Sequence, residues 1–148
     1  MSRIPVDVVD GSDSDVPSVH AEPEFITDAK LNDVFEQLLS REPLFHREAQ
    51  GLARKDFEAL TDSSFWETGA SGKRYSRQCV IDTLVNRYKN VVHETWYIED
   101  FQCREISSDN YLVTYTLFQS QRKSRRSTIW HHRNSRWKIF YHQGTLVS

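Results

Sequence analysis

Phe65-Trp66-Glu67-Thr68-Gly69-Ala70-Ser71-Gly72-Lys73-Arg74-Tyr75 reads as a short aromatic strand, a glycine turn and an aromatic return. Aromatic and β-branched side chains favour extended backbone. Gly69 and Gly72 supply positions that tolerate positive φ in a hairpin connection. Arg74 and Tyr75 are therefore expected to pair back. Alternation along 65–68 sets Phe65 and Glu67 on one face and Trp66 and Thr68 on the other. A carboxylate held among aromatics loses solvation, which raises its pKa and suits it to general acid or base chemistry. The plainer alternative is a Glu on a solvated face or in a salt bridge.

Upstream, Leu31, Val34, Phe35, Leu38 and Leu39 follow the spacing of a helix with one buried stripe, with Thr27 or Asp28 as its cap. Pro43 removes an amide donor and restricts Glu42, so the helix stops or kinks there and leaves Leu44, Phe45 and His46 in a bent continuation. A second short helix carries Ala53, Phe57 and Leu60 on one face and ends at Thr61-Asp62-Ser63-Ser64, a turn-forming run. Downstream, Ser76 caps a third helix whose stripe is Val80, Ile81, Leu84, Val85 and Tyr88. Strand patterns follow over about 93–104, 110–121, 125–133 and 136–147, separated by Ser107-Ser108-Asp109-Asn110, Lys123-Ser124 and Asn134-Ser135. Strands so closely spaced leave no room for parallel crossovers, so an antiparallel meander with helices packed on it is expected, an α+β class.

The chain has 148 residues, 38% apolar and 12% aromatic, enough for one compact domain with a tail. Residues 1–27 form the expected flexible acidic arm and residues 28–148 the domain. The net charge of −2 hides a segregation: −5 over residues 1–30, −4 over 31–109 and +7 over 110–148, where no acid occurs. A basic surface on the C-terminal strands suits an acidic partner, an anionic ligand or the chain's own arm. No long apolar run or export signal is present, so a cytoplasmic protein without membrane contact is expected. Cys79 and Cys103 lack CxxC spacing and read as buried reduced thiols. P-loop, GxGxxG and HExxH motifs are absent, which removes several common enzyme classes.

This order of elements resembles the cone-shaped fold of the nuclear transport factor 2-like superfamily. The stretch Phe65 to Gly72 with Tyr75-Ser76-Arg77, and the ending Trp137-Lys138-Ile139-Phe140-Tyr141-His142-Gln143-Gly144-Thr145, resemble its SnoaL-like, domain-of-unknown-function branch. The resemblance spans roughly residues 30–147. It implies a homodimer whose three N-terminal helices pack on a curved antiparallel sheet and close a pocket. The superfamily includes isomerases, cyclases, hydrolases, dehydratases, adaptors and non-catalytic binders, so fold leaves activity open. The isomerases' carboxylate and oxyanion-donor set does not map onto this chain residue by residue.

The candidates for polar pocket groups are His46, Glu67 and Tyr75, with Trp66, Trp130, His132 and His142 lining the pocket. His46 follows the Pro43 kink toward the cone's mouth, and imidazole transfers protons near neutrality. His131 and His132 are adjacent and must point to opposite faces, so one of them can look into the pocket. No spacing among the histidines and carboxylates predicts a metal site. The run Arg122-Lys123-Ser124-Arg125-Arg126 reads as a basic hairpin tip, suited to phosphate or carboxylate, although charged tips also guard sheet edges, and nucleic acid is not the expected partner. The favoured function is binding or transforming a small apolar molecule by general acid-base chemistry without a cofactor. The alternative is a non-catalytic ligand-binding or protein-interaction module.

Overall fold

The computed structural model describes residues 21–46, 52–89 and 95–148. A 3₁₀ turn, Ala29–Leu31, leads into helix α1, Asn32–Arg41. Asp28 caps the entry, its carboxylate accepting the Lys30 amide at 3.1 Å. At Pro43 the chain tightens into a second 3₁₀ segment, Glu42–His46, since proline cannot supply the next helical amide. That change of pitch turns Glu42 inward, where it is fully buried.

Helix α2, Arg54–Leu60, runs directly into strand β1, Thr61–Thr68. The run Thr61–Ser64, expected as a turn, is extended instead. Thr61 closes the helix by donating to the Phe57 carbonyl at 2.8 Å. The Asp62 carboxylate accepts both the amide and the hydroxyl of Ser64. These side chains are satisfied locally along the strand and have no need to reverse the chain.

Strand β2, Arg74–Ser76, returns antiparallel to β1. It feeds helix α3, Arg77–Lys89, whose first turn is capped by Ser76 Oγ accepting the Cys79 amide at 3.2 Å. Val80, Ile81 and Leu84 of its stripe are buried; the side chain of Tyr88 lies outside the described residues. Cys79 is exposed rather than buried, because it sits one position off that stripe, whereas Cys103 is buried.

Strands β3 (Trp96–Ser107), β4 (Asn110–Gln119), β5 (Arg122–Arg133) and β6 (Arg136–Leu146) complete a six-stranded sheet in the order β2-β1-β6-β5-β4-β3. The four long strands are antiparallel neighbours. β1, however, lies parallel to β6, so the curved sheet is mixed. Helix α3 and the whole meander separate β1 from β6 in sequence, which supplies the long crossover that a parallel pair needs. The β4–β5 reversal falls at Ser120-Gln121, with Ser120 at φ 55°, not at Lys123-Ser124. The basic run 122–126 therefore lies inside β5 and alternates between faces instead of crowning a tip.

Helices and sheet meet in a core that includes Leu38, Phe57, Ile81, Val113, Leu117, Trp130 and Ile139, each fully buried. Residues 21–27 cover the β3 edge. Gln102 Nε2 donates to the Ile26 carbonyl at 2.9 Å and the Cys103 amide donates to Thr27 Oγ1 at 3.1 Å, next to a bulge at Asp100 (φ 57°). The expectation for residues 1–20 lies outside the described residues. Among the described residues no helix is long and apolar enough to cross a membrane.

Candidate functional site

Register builds the site on the helix-facing side of the sheet. Trp137 and Ile139 point inward on β6, and strict alternation would then turn Tyr141 in and His142 out. Instead Trp130 pairs with Ile139 while Ile129 pairs with Tyr141, so Phe140 is an extra residue on β6. A one-residue bulge exchanges the two faces from that point on. His142 is thereby carried inside, opposite Thr128 of β5 and Glu67 of β1. Phe140 and Tyr141 are left on the outer face against His131 and Trp66.

Glu42, delivered by the Pro43 kink, closes the constellation. Its Oε1 accepts from Tyr115 Oη at 2.8 Å and from the Thr128 hydroxyl, and its Oε2 accepts from Trp130 Nε1 at 2.9 Å. Thr128 Oγ1 also meets His142 Nδ1 at 2.7 Å, and His142 Nε2 lies 3.9 Å from Glu67 Oε1. A hydroxyl carries one proton. With that proton directed at Glu42, Thr128 must accept from an Nδ1–H of His142. Glu42, Thr128 and His142 thus form a hydrogen-bonded line along which a proton can pass, and its His142 end stops 3.9 Å from Glu67, beyond hydrogen-bond reach.

Electrostatics follow burial. Desolvation raises the pKa of Glu42 despite its three donors, and raises that of Glu67 against the opposing pull of Arg126 and Arg87. Tyr115 is pushed well above the usual phenol value by burial and by the neighbouring Glu42. Arg126 is lowered by its own burial, with Arg122 adding like-charge repulsion while Tyr115, Glu67 and Glu42 oppose the shift. Gly144 leaves room for its guanidinium: a Cβ there would stand 2.7 Å from Arg126 Nη1.

A cavity of about 490 Å³ opens above this line, walled by Glu67 and Tyr75, by Leu84 and Arg87 of α3, and by Arg122 and Arg126 of β5. Of the residues singled out in the sequence, Glu67 and Tyr75 meet at this cavity. His142 lies behind Glu67, and Trp130 forms the buried floor under Glu42. Trp66 is 43% exposed on the outer face, packed against Tyr141 at a tilt of 57°, and is not among the cavity-lining residues. His132 packs on Trp137 with ring centroids 4.6 Å apart, away from the cavity lining. The side chain of His46 lies outside the described residues. His131 pairs with Asp62 on the outer face at 3.2 Å; the Ser64 hydroxyl and amide hold that carboxyl down at about 2. Glu42, Thr128 and Tyr115 complete the site without having been singled out for it, and Arg126, expected on a basic hairpin tip, joins them from inside β5. Glu42 carried one signal, its place immediately before Pro43.

No family model matches the sequence, and no curated protein matches it. Solved structures do. An uncharacterised protein with a cystatin-like fold from Caulobacter vibrioides superposes with a TM-score of 0.62 at 13% identity, over 80% of this chain and 91% of that one. An NTF-2 like protein of unknown function from Pseudomonas aeruginosa gives 0.62 at 11% identity, over 82% and 100%. An NTF2-like protein from Cytophaga hutchinsonii gives 0.59 at 13% identity, again over 82% and 100%. Three helices on a curved, unclosed sheet, shared with these proteins at such low identity, give the chain the nuclear transport factor 2-like fold.

Proposed function

We propose that the chain is a small-molecule pocket protein of the SnoaL-like kind, in which Glu67 and His142 exchange a proton with a ligand held in the cavity. The observation that carries this reading is the position of Glu67. It lines the cavity and, 3.9 Å behind it, His142 Nε2 begins the line through Thr128 to the buried Glu42. With Glu42 ionised, the proton sits on His142 Nδ1 and Nε2 faces Glu67 as a base. With Glu42 protonated at Oε1, the Glu42–Thr128 and Thr128–His142 hydrogen bonds reverse and Nε2 carries the proton. The site can therefore present either an acid or a base toward the cavity, the requirement for proton abstraction and return. Raised carboxyl pKa values keep both forms accessible nearer neutrality. Leu84, Val80 and Tyr75 offer apolar surface for the ligand body.

Native mass spectrometry of the purified protein, alone and with a fragment panel, tests this reading. A retained small molecule is expected, with a pH dependence of binding that disappears in Glu67→Gln. A protein that holds nothing from the panel, or a Glu67→Gln variant with an unchanged pH profile, would sink the proposal.

The outer face supports a second reading, self-association or capture of a protein partner. Trp66 of β1 and Phe140 of the adjacent β6 are 43% and 46% exposed there, and Tyr97 of the β3 edge is 55% exposed, aromatic surface that a partner could cover. A homodimer is the simplest occupant. Sedimentation velocity at rising concentration is expected to move toward twice the monomer mass, and a concentration-independent 17.4 kDa species would contradict it.

A further inference from the structure

We infer that the cavity takes a small organic acid, its carboxylate held between Arg126 and Arg122 and its neutral body directed at Glu67. This deepens the pocket reading above and rests on it.

Three guanidinium groups, Arg87, Arg122 and Arg126, line the same cavity as one carboxylate, Glu67. Among the described residues the lining carries more positive than negative charge whether or not Glu67 is ionised. Arg126 is the informative member. Its Nε donates to a neutral hydroxyl, Ser124 Oγ, at 2.9 Å, and among the described residues no carboxylate stands within ion-pair distance of it. Glu67 and Glu42 act on this partly desolvated cation only from beyond ion-pair distance, with a like charge nearby, so a direct anionic partner would stabilise it. The fold also makes room for it: Gly144, opposite Arg126 in the β5–β6 register, is the residue whose missing Cβ lets the guanidinium lie across β6.

The flanking arginines sort by face. Arg122 and Arg126 are four residues apart on β5 and both point inward, whereas Arg125 points outward to Thr116 and Glu22. Two inward guanidinium forks on one strand suit a planar carboxylate, which accepts paired N–H donors. An acid bound by its carboxylate at β5 extends toward Glu67, behind which the proton line begins, so the arginines act as the positioning end of the site.

The test uses the full chain and three probe sets: benzoate, phenylacetate and 3-phenylpropanoate; their primary amides; and phenylphosphonate. Binding is followed by the Arg Nε–H resonances in NMR and by calorimetry at low ionic strength. At least one acid is expected to shift the Arg126 resonance saturably. Its amide should bind about tenfold more weakly or worse, and Arg126→Met should lose about the same factor, as expected for hydrogen bonds to charged groups. Arg122→Gln, a change at an exposed position, should weaken the acid severalfold with the fold intact. Amides binding as well as acids would overturn the carboxylate inference while leaving the pocket reading standing. Phenylphosphonate binding without any acid would overturn it in favour of phosphoryl ligands. If neither acids nor amides bind, the inference falls, and a blank native mass spectrum would remove the pocket reading as well.

Discussion

Glu42→Ala is expected to cost about 3–5 kcal/mol in urea or thermal unfolding, because the change strands three buried donors together with the void it leaves. Tyr115 Oη, the Thr128 hydroxyl and Trp130 Nε1 all donate to this one carboxylate, which is fully buried. A domain of this size has roughly 5–15 kcal/mol in total, so the variant should sit near the edge of folding. Glu42→Gln keeps an acceptor oxygen and the shape but sets an amide N–H against one of the donors, and should cost about 1–2 kcal/mol. A Glu42→Ala protein as stable as wild type would mean that the three donors find other partners.

The same pair of variants separates stability from titration. Glu42 has a folded pKa above the ordinary value of 4.5, so between those two values the native state binds more proton than the unfolded chain. Stability therefore falls as pH rises through that window. Glu67 is raised as well and adds to the same slope. Glu42→Gln should flatten the slope, and Glu67→Gln should flatten the remainder. A wild-type stability that climbs through the window would reverse the sign and refute the buried-carboxyl picture.

The helices and the hairpin at Phe65 to Tyr75 were legible because each is a local statement. The α3 stripe repeats every three or four residues, and Gly72 sits at φ 91° in the turn. The parallel pairing of β1 with β6 was not legible, since it depends on which edge of the finished sheet lies free. The proton line was hidden for a sharper reason. Its histidine reaches the inner face through the Phe140 bulge, and a bulge leaves no mark in a strand pattern read by twos. Glu42 was read as a kink-restricted residue, which was correct, but burial of its carboxylate depends on Tyr115, Thr128 and Trp130, more than seventy positions away. The arginines of β5 were seen as one basic cluster. A shift of the turn to Ser120-Gln121 split them into inward and outward sets.

Trp130 links core and site, and substitution there should reveal the charge state of Glu42. Its ring is fully buried, edge-on to Trp137 at 6.5 Å, and its Nε1 donates to Glu42 Oε2. Trp130→Ala removes the whole ring and should cost about 3–5 kcal/mol. Trp130→Phe keeps most of the packing and deletes the donor, for about 1–2 kcal/mol when Glu42 is protonated. The indole lowers the Glu42 pKa by favouring the carboxylate, so its loss raises that pKa further and penalises the ionised form. The cost of Trp130→Phe should consequently grow as pH rises through the raised Glu42 pKa, measured by urea unfolding across a pH series that starts at the ordinary value of 4.5. In the double variant with Glu42→Gln the growth should vanish, because the titrating partner is gone and only the packing loss remains. A cost that stays flat with pH in the single variant would show that Glu42 never ionises against the indole in that range, and with it the proton line would lose its buried terminus.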